Sequence, residues 1–364
     1  MRVVFIGVLL SCLALIAPAR SAESSRPAMG MIEVTVAGQK IEGMPLAWAS
    51  NVVHLLGRDG RLWSFDPKEA TDYRQTASRF RPYSISELRA GLLRELGHGY
   101  EVSGTTHYLV AHPKGQKDKW AQRFEDLYRS FVRYFSVRGF ELEKPPFPLI
   151  GIVCPDRKDF ERRAAGQGVP VGSGALGFYD LTTNRIMVYD VAEKGSNEEN
   201  WQYSASTIIH EATHQMAFNT GVQSRYCPPP LWVVEGLATL FEAVGIHDSQ
   251  SHQQQDDRIN RERFHDYRAM IADRHDGRLP AELTATDRFF DVAPMAAYAE
   301  AWAMTFYLVE TQPRKFARYL AIMASRPPFV PYTAKERLAD FTSIFGSNWR
   351  LFDAQFGRYM DKVE

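Results

Sequence analysis

One helical stretch constrains the fold more than any other, because it carries two histidines four residues apart. His210 and His214 belong to a His-Glu-Ala-Thr-His motif, and neither Pro nor Gly interrupts residues 201–220. Residues four apart share one face of an α-helix, so both imidazoles project toward one point. A catalytic Zn²⁺ takes three protein ligands and keeps its fourth position for water. Glu211 follows the first histidine, where it can act as general base toward that water.

Start and stop signals predict two consecutive helices. Ser204 or Ser206 is placed to cap the first helix, and Gly221 is placed to end it. A second helical run over 231–244 follows three prolines and is closed by Gly245.

The second helix offers a third ligand. Glu235 lies beside an apolar stripe, where an ionised carboxylate is costly unless it is paired or bound to a metal. Glu242 is the rival ligand, but it approaches the helix end, where solvated carboxylates are ordinary. We therefore expect one Zn²⁺ per chain, bound by His210, His214 and Glu235. Thr239, one turn after Glu235, is placed to support a ligand from the second layer around the metal.

These residues resemble the gluzincin branch of zinc metallopeptidases, which combine this histidine motif with a Glu on a following helix. The segment at 230–242, Pro-Leu-Trp-Val-Val-Glu-Gly-Leu-Ala-Thr-Leu-Phe-Glu, is similar to the peptidase-MA-like group DUF1570, and the resemblance covers roughly residues 100–355. It implies that the two histidines and Glu235 are zinc ligands and that Glu211 is the catalytic base. It also implies a zincin-like α+β fold with a mixed-sheet upper lobe and a helical lower lobe.

Tyr298 is a second candidate catalytic residue. It stands among small residues in Ala-Ala-Tyr-Ala-Glu-Ala-Trp, which would let its ring reach into a cleft. The resemblance implies a lower-lobe Tyr or His at the reacting carbonyl, so Tyr298 is expected to donate to the oxyanion. A core tyrosine whose hydroxyl bonds a neighbour is the alternative.

The N-terminal residues 1–22 read as a secretory signal, with one positive charge, an apolar stretch and then small residues. We expect export to the periplasm or secretion; a retained anchor is the alternative, although the apolar run is short for a span. No other long apolar segment occurs, so no stable membrane span is expected after cleavage. The two remaining cysteines, Cys154 and Cys227, either form one disulfide or stay as buried thiols.

The balance of basic and acidic residues argues against nucleic acid and anionic membranes as partners. Lys+Arg and Asp+Glu number 43 each, so the chain has no global basic field for nucleic acid or an anionic membrane. The expected partner is a peptide or protein substrate.

Patterning divides the rest of the chain into two regions. Residues 31–66 alternate apolar and polar positions between turn signals, which predicts a small β-rich module within 23–98. We expect a catalytic domain over 99–364, with its upper lobe at 99–220 and its lower lobe at 221–364.

Within the upper lobe we predict strands over 100–112, 148–154 and 184–190 and a helix over 118–136. Residues 166–177 are Gly-rich in a spacing that fits no phosphate loop, and we interpret them as a flexible rim. The resemblance places the strand before the metal helix along the cleft, where an extended substrate could pair with its edge.

The combined prediction is an exported zinc metallopeptidase that hydrolyses peptide bonds. A non-catalytic exported binding protein with the same fold is one alternative, and a metal-dependent hydrolase of a non-peptide amide is another. His247 and His252 lie in a polar segment that favours a solvated loop over a metal site.

Overall fold

The structure, a computed structural model, describes part of the chain in detail. The described residues are 30–116, 119–172, 174–189, 198–270 and 277–363, and for 119 and 198–204 only the backbone is described. The predicted signal sequence at 1–22 lies outside the described residues.

Strands dominate the first half of the described chain and helices dominate the second. The strands are β1 (Met31–Val36), β2 (Gln39–Trp48), β3 (Val53–Gly57), β4 (Leu62–Phe65), β5 (Ala70–Ala77), β6 (Tyr100–Gly104), β7 (Tyr108–Pro113), β8 (Leu149–Cys154), β9 (Gly177–Asp180) and β10 (Arg185–Tyr189). The helices are α1 (Ile85–Leu96), α2 (Lys119–Ser136), α3 (Arg157–Gly166), α4 (Glu198–Asn219), α5 (Leu231–Phe241), α6 (Val244–His247), α7 (Arg261–Met270), α8 (Arg278–Ala285), α9 (Arg288–Val292), α10 (Pro294–Thr311), α11 (Pro313–Ala324), α12 (Ala334–Phe345) and α13 (Trp349–Met360). The predicted α+β class with a β-rich N-terminal part is confirmed.

The first sheet has the strand order β4-β3-β2-β1-β5 and is antiparallel throughout. The hairpins predicted over 31–66 are its first four strands. Strand β5 was not predicted, because most of its residues are exposed and an exposed edge strand lacks the apolar alternation that marks a half-buried one.

The second sheet has the order β6-β7-β8-β10-β9. Strand β8 runs parallel to both β7 and β10, and the outer strands β6 and β9 are antiparallel to their neighbours. The single strand predicted over 100–112 is a hairpin, whose turn is closed by a hydrogen bond from Thr105 N to Tyr108 O. The prediction missed this turn because apolar residues continue on both sides of it.

The strand that precedes the histidine motif is β10, and it is not an edge strand. It pairs with β8 on one side and with β9 on the other. Strand β9 forms the edge, and it begins at Gly177, which the sequence assigned to the Gly-rich rim. The expected edge position of the strand before the motif is therefore wrong.

The chain forms two compact units. Among the described residues, the first comprises those within Met1–Glu125, Pro145–Ile208 and Pro328–Val330, and the second comprises those within Asp126–Lys144, Ile209–Pro327 and Pro331–Glu364. Both sheets belong to the first unit. The second unit is helical in its described part, and large aromatic side chains fill its interior: Trp232, Trp302, Phe306, Tyr319, Phe341 and Phe356. The domain limits expected from the sequence stay predictions.

Three predictions about helix ends near the histidine motif are wrong. Helix α4 begins at Glu198 and runs through Ser204 and Ser206, so neither caps it. Helix α5 ends at Phe241, three residues earlier than expected. Gly245 lies inside α6, where a Cβ would come within 2.7 Å of the Asp257 carbonyl carbon; close backbone approach, not helix termination, explains this glycine.

Two further expectations concern chemistry and membranes. Cys154 and Cys227 are both buried and form no disulfide with each other, so the disulfide alternative is wrong. Among the described residues, no helix combines the length and apolar character needed to cross a membrane.

Candidate metal centre

Helices α4 and α5 bring two imidazoles and one carboxylate together. His210 Nε2 lies 3.3 Å from Glu235 Oε2, and His214 Nε2 lies 3.6 Å from the same oxygen. The ligand atoms of all three residues lie within 4.8 Å of one another. The three predicted ligands therefore converge on one point within the helical unit.

These donor atoms are buried without conventional partners. The side chains of His210, His214 and Glu235 are 1%, 3% and 1% exposed. Among the described residues, neither histidine Nε2 nor either Glu235 carboxylate oxygen has a partner in hydrogen-bond geometry. Buried polar atoms are normally hydrogen-bonded, so a group of such atoms facing one point is what a metal site requires. Two nitrogens and one carboxylate form a known catalytic zinc donor set.

The electrostatics of the centre also favour a cation. Burial raises the pKa of Glu235, but the neighbouring His214 and His210 outweigh burial and hold that pKa at about 2. Burial lowers the pKa of His210, whereas its contacts with the carboxylates of Glu235 and Glu242 raise it to about 10. The carboxylates thus stabilise positive charge at this point, and a divalent metal ion would supply it.

Glu242 contacts His210, a predicted ligand, and is not itself one of the three converging groups. His210 Nδ1 lies 2.7 Å from Glu242 Oε1, on the opposite side of the ring from Nε2. A hydrogen bond from Nδ1 to a carboxylate fixes the tautomer and the orientation of a metal-binding imidazole. The preference for Glu235 over Glu242 as the ligand agrees with this geometry. The supporting role was missed, because sequence spacing shows only that Glu242 and Glu235 share a face.

Asn260 donates hydrogen bonds to both Glu242 and Thr239. The Asn260 side-chain amide donates to Glu242 Oε2 at 2.7 Å and to the Thr239 main-chain oxygen at 2.9 Å. The Thr239 hydroxyl donates to the Glu235 main-chain oxygen at 2.7 Å and not to a ligand side chain. The supporting role expected of the Thr239 side chain is therefore wrong, because its hydroxyl bonds the preceding turn of its own helix.

Both predicted catalytic residues belong to the same region. Glu211 is fully buried on α4, directly after His210, and Tyr298 is half-buried on α10. Burial raises the pKa of Tyr298 well above its ordinary value, the charges of Glu235 and Glu211 raise it further, and Arg263 opposes them. Helices α4, α5 and α10 thus bring the hydroxyl and the two carboxylates into one electrostatic environment. The catalytic roles of Glu211 and Tyr298 stay predictions.

A glycine sets the spacing between α5 and α10. Gly236 follows Glu235, and a Cβ at Gly236 would lie 2.2 Å from Thr305 Oγ1 and 2.5 Å from the Ala301 main-chain oxygen. Real Cβ atoms do not approach so closely, so only glycine permits this packing. The helix that carries Tyr298 can therefore approach the helix that carries Glu235.

The histidines of the polar segment are not part of the centre. His247 Nδ1 lies 2.9 Å from the Phe241 main-chain oxygen, and His252 Nε2 is 3.9 Å from Asp248. Among the described residues, the only group with metal-binding spacing is His210, His214 and Glu235.

Similar proteins include metallopeptidases. Residues 204–330 match the sequence model of a family described as "Protein of unknown function (DUF1570)", which confirms the predicted resemblance over that segment. Human glutamyl aminopeptidase is 24% identical over 226 residues, 52% of this chain and 23% of that protein. The chain thus spans about a quarter of the length of this curated relative.

Solved structures with detectable similarity include M1 zinc metallopeptidases from Deinococcus radiodurans. One is 16% identical with a TM-score of 0.38, and it covers 73% of this chain and 51% of its own. A mutant bound to a Tyr-Ser-Ala substrate is 14% identical with a TM-score of 0.40, again over 73% and 51%.

Proposed function

We propose that this protein is a zinc-dependent peptidase that hydrolyses peptide bonds. The observation that carries the proposal is the convergence of His210 Nε2, His214 Nε2 and a Glu235 oxygen within 4.8 Å, with Glu211 buried beside the first ligand. The name of the curated relative, glutamyl aminopeptidase, supports the reaction class.

The residues of the centre fit the parts of amide hydrolysis. His210, His214 and Glu235 would hold Zn²⁺, which when bound polarises the scissile carbonyl and lowers the pKa of water. The Glu211 carboxylate accepts a proton from the attacking water and passes it to the nitrogen of the departing amine. The Tyr298 hydroxyl donates a hydrogen bond to the oxygen that becomes negatively charged in the transition state.

Matched substitutions at two glutamates test this assignment. Both Glu235→Gln and Glu211→Gln replace a buried carboxylate by an amide of the same shape. We expect Glu235→Gln to lose most of its zinc, and Glu211→Gln to keep about one zinc per chain while losing turnover. Metal analysis and hydrolysis of casein and a peptide library, with and without chelator, provide the two readouts. Loss of zinc from Glu211→Gln, or its normal turnover, would contradict the role of this residue as a base.

The same assays separate the alternatives. Stoichiometric zinc without hydrolysis of any peptide would favour a binding protein or a hydrolase of a non-peptide amide. Chelator-resistant hydrolysis would contradict a metal-dependent reaction.

We also propose that the protein is exported, on the strength of the secretory pattern in residues 1–22. Expression of the full chain with a C-terminal tag in a bacterial host, followed by fractionation and N-terminal sequencing, tests this. We expect the mature chain outside the cytoplasm with a new N-terminus near 19–22. Recovery of an uncleaved cytoplasmic chain would contradict export.

A further inference from the structure

Asn260 connects two parts of the helical unit. Its side-chain oxygen accepts a hydrogen bond from Arg263 N at 3.2 Å, which is the N-cap geometry for helix α7. Its side-chain nitrogen donates to Glu242 Oε2 and to the Thr239 main-chain oxygen. The residue is only 7% exposed, so water competes poorly for these bonds.

The bonds form a continuous chain that ends at the proposed metal. Asn260 holds one oxygen of the Glu242 carboxylate, and the other oxygen contacts His210 Nδ1. The Glu242 side chain is 8% exposed. A carboxylate held at both oxygens has little rotational freedom, so the imidazole it contacts is held in one orientation.

We propose that Asn260 is a positioning residue for the metal centre, acting through Glu242 on His210. The proposal rests on the proposed zinc site but does not depend on the reaction catalysed there. Asn260 does not contact the three ligand side chains through any bond described above. Its contribution is to fix the carboxylate that orients a ligand, from the N-terminus of a helix that contributes no ligand.

The competing explanation is that Asn260 is only a helix cap. Asn→Asp separates the two roles, because Asp is as good an N-cap as Asn but has no side-chain donor for a carboxylate. Asn260→Asp would retain the acceptor for Arg263 N and place an acceptor against Glu242 Oε2. Asn348 supplies a matched control, since its side chain accepts from Leu351 N at 3.0 Å and caps α13. Asn348→Asp makes the same change at a cap that has no described bond to the centre.

Adding a second substitution, at Glu242, should restore the hydrogen bond between positions 260 and 242 with donor and acceptor exchanged. In the Asn260→Asp, Glu242→Gln double variant, the new amide can donate to the new carboxylate and still accept from His210 Nδ1. Both single changes alter the same contact, so recovery in the double variant would show that the contact itself is responsible.

The test measures zinc affinity of the full chain, by competition with a chromophoric chelator, and the visible spectrum of the Co²⁺-substituted protein. We expect Asn260→Asp to weaken zinc binding about tenfold or more and to shift the Co²⁺ bands. Asn348→Asp should match wild type in both, and the double variant should recover at least part of the affinity. Thermal unfolding of the metal-free proteins controls for general destabilisation.

Three outcomes would overturn the proposal or its premise. Zinc affinity of Asn260→Asp within about twofold of wild type would overturn the positioning role, because the expected loss for an outer-layer partner is larger. A double variant no better than Asn260→Asp would do the same. Wild-type protein that takes up no zinc would overturn the centre itself, whereas tight zinc binding without peptide hydrolysis would contradict only the proposed function.

Discussion

A buried glutamate that is not one of the proposed ligands should make the stability of this protein strongly pH-dependent. Glu300 on α10 is 1% exposed. Burial, together with a smaller effect of the charge of Asp353, raises its pKa from 4.5 to about 8. Asp353 on α13 accepts a hydrogen bond from Gly277 N at 2.7 Å. Burial raises the pKa of Tyr267 on α7, and the charge of Glu300 raises it further. At neutral pH the folded protein therefore holds a proton on Glu300 that the unfolded chain has released.

The sign and size of the effect follow from proton linkage. Between pH 4.5 and about 8 the folded state binds one more proton at this site than the unfolded state, so the free energy of unfolding falls as pH rises. The slope approaches about 1.4 kcal/mol per pH unit. From pH 5 to pH 7 the loss is roughly 2–3 kcal/mol. Because the side chain is fully buried, solvent screening does not reduce this value appreciably.

Glu300→Gln removes this dependence, since the amide resembles the protonated acid and does not titrate. We expect the stability difference between variant and wild type to grow in favour of the variant by roughly 2–3 kcal/mol from pH 5 to pH 7. Urea unfolding of the metal-free proteins at pH 5, 6 and 7 measures it, and subtracting wild type cancels the other titrating groups. Glu282→Gln, at an exposed glutamate on α8, controls for the change in net charge. A stability difference that is the same at all three pH values would refute the reasoning.

Three further predictions concern the centre. Gly236→Ala should lower the free energy of unfolding by about 1–3 kcal/mol through overpacking between α5 and α10, and it should also lower turnover. An unchanged unfolding midpoint in urea would contradict the close helix contact. Tyr298→Phe should reduce kcat by roughly 30- to 1000-fold, equivalent to about 2–4 kcal/mol, with zinc content and Tm nearly unchanged; a lower Tm with full turnover would instead make Tyr298 a core residue. Glu242→Ala should still bind one zinc at saturation but with about 10- to 100-fold weaker affinity, and zinc titration would contradict its supporting role if the affinity matched wild type.

Local sequence determined the parts of the centre that depend on helical periodicity. His210 and His214 share a face because the helix repeats every 3.6 residues, whatever surrounds it. Glu235 was predicted to be the third ligand because a carboxylate beside an apolar stripe needs a compensating charge. The β-hairpins of the first sheet were likewise visible, since alternation and turn residues act over a few positions.

Tertiary packing decided what lies between elements that are distant along the chain. Strand β9 is the sheet edge because it pairs with β10, and the exposed segment β5 forms a strand because it pairs with β1. Glu242 contacts His210 across two helices, and Asn260 reaches Glu242 from a third. No spacing rule links such residues, because the hydrogen bonds depend on how the helices pack and not on their own periodicity. Local patterning thus specifies which side chains can bind a metal, and packing specifies which other groups orient them.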